Sequence, residues 1–177
     1  YGIDIQLMVY MEAAMKLVAK MRPGKNVIPA GVFYYNISDP IVSATTESAE
    51  EIEDKIKGEL RLKGMVNSDK DIAEKMDNTE GTSLNIPVSR KADGGFDSRR
   101  SKVMNTEQFN MLGRFVDVRA VDTADRIAGG DIRRSPYKDG QFSSCDRCPY
   151  GAVCGFSVDL PGCNYRKLKK FDDEVLW

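Results

Sequence analysis

Histidine is absent from all 177 residues. That excludes Ser-His-Asp and Cys-His catalysis and every zinc site with a histidine ligand. Long apolar runs are missing too; nothing approaches the roughly 20 residues that a membrane-spanning helix needs. The opening Tyr1-Gly-Ile-Asp-Ile-Gln lacks the basic n-region of a signal peptide, so a cytoplasmic location is expected. Net charge is scarce as well, at −1. This excludes a uniformly basic polyanion binder and leaves room for a local basic patch. Cysteine is sparse, with four in the chain, and all lie between Cys145 and Cys163. What remains is 41% hydrophobic and 30% charged in 19.7 kDa, the balance of a globular domain with room for an appendage.

Hydrophobic periodicity predicts a helix at the start. Ile3, Leu7, Tyr10, Ala14, Leu17 and Met21 fall on one arc, and Pro23-Gly24 ends it. The β-branched and aromatic stretch from Val27 to Ile37 reads as a strand beginning after Pro29. Ser48 and Glu51 form a capping-box signature before a stripe of Ile52, Ile56 and Leu60. Ser68 to Asp71 repeats a cap pattern before a short helix over 72–76, and 77–83 reads as polar loop. Residues 85–89 and 102–104 flank the turn-rich Asp93-Gly94-Gly95 and read as a hairpin-like pair. Asn105 with Gln108 then caps a long helix carrying Phe109, Leu112, Val116, Ala120, Ala124 and Ile127. Residues 132–134 suggest a short strand, and the chain beyond Pro136 is expected to be loop-rich.

Cys145-Asp-Arg-Cys148 is a CxxC pair; Cys154 follows, then Cys163. Two thiolates on one tight turn can reach one metal or cluster, and a third nearby can close around the same centre. The Gly- and Pro-rich surroundings build little core, so a metal clip would supply a cross-link. Spacing does not separate zinc from iron–sulfur, since both accept thiolates. Disulfides or buried free thiols are the alternatives.

From Arg133 to Lys170 there are eight basic residues against three acidic ones, a net of +5. They include Arg133, Arg134, Arg147, Arg166, Lys167, Lys169 and Lys170, with Tyr137, Phe142, Tyr150, Phe156 and Tyr165 interleaved. Such a stretch can bind a nucleic-acid backbone, or it can be a solvated surface over packed aromatics.

Gln6 falls within the apolar arc of the first helix, with Tyr10 one turn on. Polar tips at i and i+4 can converge above a helix. Equally, Gln6 can sit at an exposed helix end while Tyr10 belongs to the core.

Gln6-Leu-Met-Val-Tyr10 resembles the QxxxY motif of RecB-type nucleases in the PD-(D/E)XK superfamily. Phe33 to Pro40, Leu62 to Val66, and the ending Cys145, Cys148, Cys154-Gly-Phe and Pro161-Gly-Cys-Asn-Tyr-Arg166 resemble the C-terminal nuclease domain of AddB-type subunits of AddAB helicase–nucleases. The resemblance implies an α/β (α+β) fold. It would be a partial, helix-rich restriction-endonuclease-like core over 1–134 with a cysteine-rich basic tail over 135–177. It also implies an ATP-dependent exodeoxyribonuclease that processes DNA double-strand ends for recombinational repair, with an AddA-like helicase–nuclease partner. Gln6 and Tyr10 would line its active site. Mg2+ would be held by carboxylates on strands preceding the QxxxY helix, aided by a lysine. Cys145, Cys148 and Cys154 would ligate a [4Fe–4S] cluster with a fourth, upstream cysteine; Cys163 is left open by the family pattern.

Those carboxylates and that fourth cysteine are absent from these residues, and Asp4 is too close to Gln6 to replace them. The expectation is therefore a C-terminal piece that does not cleave DNA alone; the alternative is a stand-alone interaction module that binds zinc through Cys145, Cys148, Cys154 and Cys163 or binds DNA through its basic tail. The strand near Val32 to Tyr35 would expose an edge and favour self-association.

Overall fold

The computed structural model describes residues 3, 5–37, 39–43 and 48–168. Asp4, Lys169 and Lys170 lie outside them. Two compact units are present, one over Asp4–Val118 and one over Arg119–Trp177 with Tyr1–Ile3. The fold is mixed α/β, as expected, with two small sheets among the described residues.

In the first unit, α1 (Gln6–Met21) leads into β1 (Gly31–Tyr34). The helix ends where Pro23 cannot continue the ladder and Gly24 turns at φ +77°. α2 (Ala49–Leu60) starts on the predicted capping box: Ser48 accepts from the Glu51 amide, and the Glu51 carboxylate accepts from the Ser48 amide. Its stripe of Ile52, Ile56 and Leu60 is half-buried. β2 (Lys63–Asn67) follows, then α3 (Lys70–Met76). Here the cap is Asp69 rather than Ser68, because its carboxylate accepts from the amides of Asp71 and Ile72. β3 (Val103–Met104) precedes α4 (Thr106–Ala128). Asn105 and Gln108 cap α4 reciprocally at 2.8 and 2.9 Å.

The sheet runs β1-β2-β3, antiparallel then parallel. The 102–104 segment therefore contributes a strand beside β2, not the second arm of a hairpin with 85–89. The two segments still touch, through Lys102 N–H to the Pro87 carbonyl and Ser89 N–H to Ser101 Oγ.

Alternation along each strand feeds two cores. Val32 and Met104 pack with Met11 and Phe109 on the α1 and α4 face. Val66 packs on the other face with Ala73, Ile86 and Val88, beside half-buried Phe33 and Val103. Phe109 and Val66 are fully buried, and each such side chain contributes about 1.5–3 kcal/mol. Gly64 permits the close β1–β2 approach, since a Cβ there would lie 1.9 Å from the Val32 carbonyl oxygen.

The buried stripe of α1 differs from the predicted arc. Met11, with Leu7, Met8 and Met15, faces the core. Of the predicted arc Leu7 packs on the core, while its Tyr10, Leu17 and Met21 stay exposed. Together with β1, α1 lines a groove of about 500 Å³.

The second unit contains the C-terminal turns of α4, followed by β4 (Tyr137–Asp139), β5 (Phe142–Ser143), α5 (Gly151–Cys154) and β6 (Arg166–Lys167). Its sheet has the order β5-β4-β6, with β6 parallel to β4. Residues 132–134 form no strand. The predicted loop character holds around these short elements.

Candidate functional site

The α1 motif closes on itself. Gln6 is the first helical residue, and its Nε2 donates to Tyr10 Oη at 2.7 Å. Both side chains are exposed, Tyr10 by 60%. The convergence read from the i, i+4 spacing is thus present. Gln6 is at an exposed helix end, and Tyr10 is not a core residue. Tyr10 also lines the apolar groove between α1 and β1.

The cysteines lie on a loop held by local bonds. The Cys148 amide donates to the Cys145 carbonyl at 3.1 Å, forming the turn that a CxxC pair needs. Cys154 ends α5, and Gly155 leaves it in the left-handed region at φ +61°. Arg134 Nη1 donates to the carbonyls of Cys154 and Gly155, so this arginine braces the cysteine loop. Tyr165 packs edge-on against Phe156 with ring centroids 5.0 Å apart. Its hydroxyl bonds to Cys145 and Ser143; the Cys145 contact is the larger influence and raises the phenol above its ordinary pKa.

All four cysteines are free thiols, with no disulfide between them. Their chemistry suits zinc or iron–sulfur. Their placement does not yet form a ligand shell: among the described residues, no group of three or more His, Cys, Asp or Glu side chains is close enough to hold a metal ion. The same holds for a carboxylate site for magnesium.

The basic residues divide by location. Arg133 and Arg166 line one cavity of about 500 Å³ with Ser135 and Tyr137. Arg147 and Lys167 are exposed and do not line it. The cavity recruits two arginines that the sequence reading did not single out, Arg119 and Arg126 of α4. Their seven-residue spacing, two turns on one helix face, was the available signal. Asp131 anchors the group, accepting from Arg126 and Arg133 at 2.7–2.9 Å. Arg133, with Arg126 in support, holds the Asp131 carboxyl well below the usual carboxylate range.

A family profile described as the PD-(D/E)XK nuclease superfamily matches residues 1–155. The whole chain is 35% identical to an ATP-dependent helicase/deoxyribonuclease subunit of Thermoanaerobacter sp. (strain X514) and covers 15% of that protein. The corresponding subunit of Caldanaerobacter subterraneus subsp. tengcongensis is 37% identical, again with 15% covered. That of Clostridium botulinum (strain Hall) is 37% identical, with 16% covered. The chain thus spans about a sixth of the length of these relatives. With the profile extending over most of its residues, the chain belongs to the PD-(D/E)XK nuclease superfamily.

Proposed function

We propose that these residues form part of the nuclease domain of an ATP-dependent helicase/exodeoxyribonuclease subunit. The parent processes DNA double-strand ends for recombinational repair, in the cytoplasm, with an AddA-like helicase–nuclease partner. The observation that carries this reading is the Gln6–Tyr10 pair, presented on α1 beside β1 in a chain that matches helicase/deoxyribonuclease subunits along its whole length. Gln6 and Tyr10 orient the cleft or the strand within it. Residues 1–134 serve the nuclease core and 135–177 serve as its staple.

Phosphodiester hydrolysis by this superfamily uses a divalent metal to activate water, and carboxylates outside these residues supply that site. Cys145, Cys148 and Cys154 hold a [4Fe–4S] cluster once the loop closes on it with a fourth ligand from elsewhere; Cys163 is not required.

The test is cleavage of linear DNA with magnesium. The complete subunit in its helicase complex degrades DNA ends, and the 177-residue chain alone does not. Robust cleavage by the pure chain, or none by the complete complex, overturns the proposal.

A further inference from the structure

We infer that the cavity lined by Arg119, Arg126, Arg133, Ser135, Tyr137 and Arg166 binds the phosphodiester backbone of a single-stranded nucleic acid. This deepens the nuclease reading and rests on it for the nature of the polyanion.

Four guanidinium groups surround a cavity of about 500 Å³ that no carboxylate among the described residues lines. Like charges gathered this way repel unless an anion enters or acids neutralise them. Neutralisation here is partial. Asp131 is shared between Arg126 and Arg133. Arg119 pairs with Asp122, at 3.5 Å, its one ion pair among the described residues. Arg166 spends its Nε on the Ser135 carbonyl at 3.0 Å, which directs the rest of its fork away from that bond. Among the described residues two acids face four bases, so the cluster there keeps a net positive charge.

The cluster is also held in place before any ligand arrives. The Asp131 side chain is only 13% exposed, and it fixes two guanidinium groups by short bonds. A clamp of this kind lowers the cost of ordering arginines around a ligand. Planar guanidinium forks match phosphate oxygens bidentately.

The spacing favours a strand over a single small anion. Arg119 and Arg126 are seven residues apart on α4, about 10 Å along the axis. That separation is wider than one phosphate group and suits successive phosphates of one strand. Tyr137 adds an aromatic face of the kind on which an unpaired base stacks.

The experiment is fluorescence anisotropy with a labelled oligothymidylate and the 177-residue chain, without magnesium, over a salt series. The unmodified chain binds, and its affinity falls with salt. Arg119→Gln and Arg166→Gln each weaken binding severalfold and reduce the slope of log affinity against log salt by about 0.7. Arg119 is 39% exposed on a helix and glutamine has similar helix propensity, so this variant keeps its circular dichroism spectrum and thermal midpoint. Lys75→Gln, an exposed position on α3 outside the cavity, leaves the slope unchanged. A methylphosphonate oligothymidylate, which keeps the bases and loses the charge, does not bind.

Equal slopes for the parent chain and the two cavity variants overturn the inference. So does equal binding of the uncharged strand, or no binding by the parent chain. None of these results bears on the nuclease reading, which stands or falls on magnesium-dependent cleavage by the complete complex.

Discussion

Tyr10 accepts the amide of Gln6 with its phenol oxygen, which leaves the phenol's own proton and Gln6 Oε1 able to bond a further group. A pair whose only purpose was to hold the helix would gain little here, because both side chains are exposed. Tyr10→Phe and Gln6→Ala are expected to change the stability of the chain by less than about 0.5 kcal/mol, the usual effect of exposed positions. In the complete helicase–nuclease complex each should lower nuclease turnover about tenfold or more while leaving ATP-driven unwinding intact. Equal nuclease rates for Tyr10→Phe and the parent would remove Tyr10 from the site.

Asp77 is a different kind of carboxylate. It is 8% exposed and sits at the end of α3. Burial works against its charge, yet hydrogen bonds from Thr79, Ser83 and Asn85 outweigh that cost and hold its pKa well below the ordinary value. Its folded pKa is therefore depressed. The stabilisation is fully present above the unfolded value of about 3.9 and is lost as pH falls below it toward the folded value. Asp77→Asn puts an amide donor where two donors already point, at Ser83 Oγ and Asn85 Nδ2. The expected loss is about 2–3 kcal/mol at pH 7 in urea unfolding, shrinking below about pH 4. A loss that stays constant down to the acid limit would show that the charge is not what the loop uses.

Local signals were legible in the sequence, and distant ones were not. Ser48 with Glu51, and Asn105 with Gln108, set helix starts that the structure reproduces, because each cap is complete within four residues. β2 escaped the element reading. Lys63, Gly64 and Asn67 carry weak strand propensity, and the strand exists because β1 and β3 flank it. Asn67 shows why no local rule would find it. Fully buried, it donates to the Pro29 carbonyl and Thr106 Oγ1 and accepts from the Asp69 amide, joining three separate stretches of chain. The candidate site divides in the same way. The cysteine spacing and the Gln6–Tyr10 spacing are readable because each is short. Arg119 and Arg126 look like ordinary surface charges until the fold brings Arg133 and Arg166 beside them.

The cysteine loop offers a composition test. Reconstitution of the complete subunit with iron and sulfide under anaerobic conditions should give visible charge-transfer absorption. Cys145→Ser, Cys148→Ser and Cys154→Ser should each abolish it, and Cys163→Ser should keep it. One equivalent of zinc without iron, lost on Cys163→Ser, would instead assign a four-thiolate zinc site. Binding of either metal should bring protection from proteolysis to residues 145–163, because the loop is closed by short local bonds and one arginine brace.

The uncovered side of α1 carries the last expectation. Tyr10, Leu17, Val18, Met21 and Ile28 are exposed apolar side chains in the unit that contains β1. β1 is hydrogen-bonded to β2 on one side and is the edge of its sheet among the described strands. An apolar helix face beside an open strand edge is a surface that other strands cover, and a second copy can do so when they are absent. The 177-residue chain should therefore self-associate as its concentration rises, read by light scattering on an eluting peak. Leu17→Lys with Met21→Lys places two charges on that face at positions 58% and 71% exposed, where neither fills a core. The double variant should move the equilibrium toward monomer without lowering the thermal midpoint of the monomeric fraction. A strictly monomeric mass for the unmodified chain at every concentration would show that the open edge is protected by its own geometry.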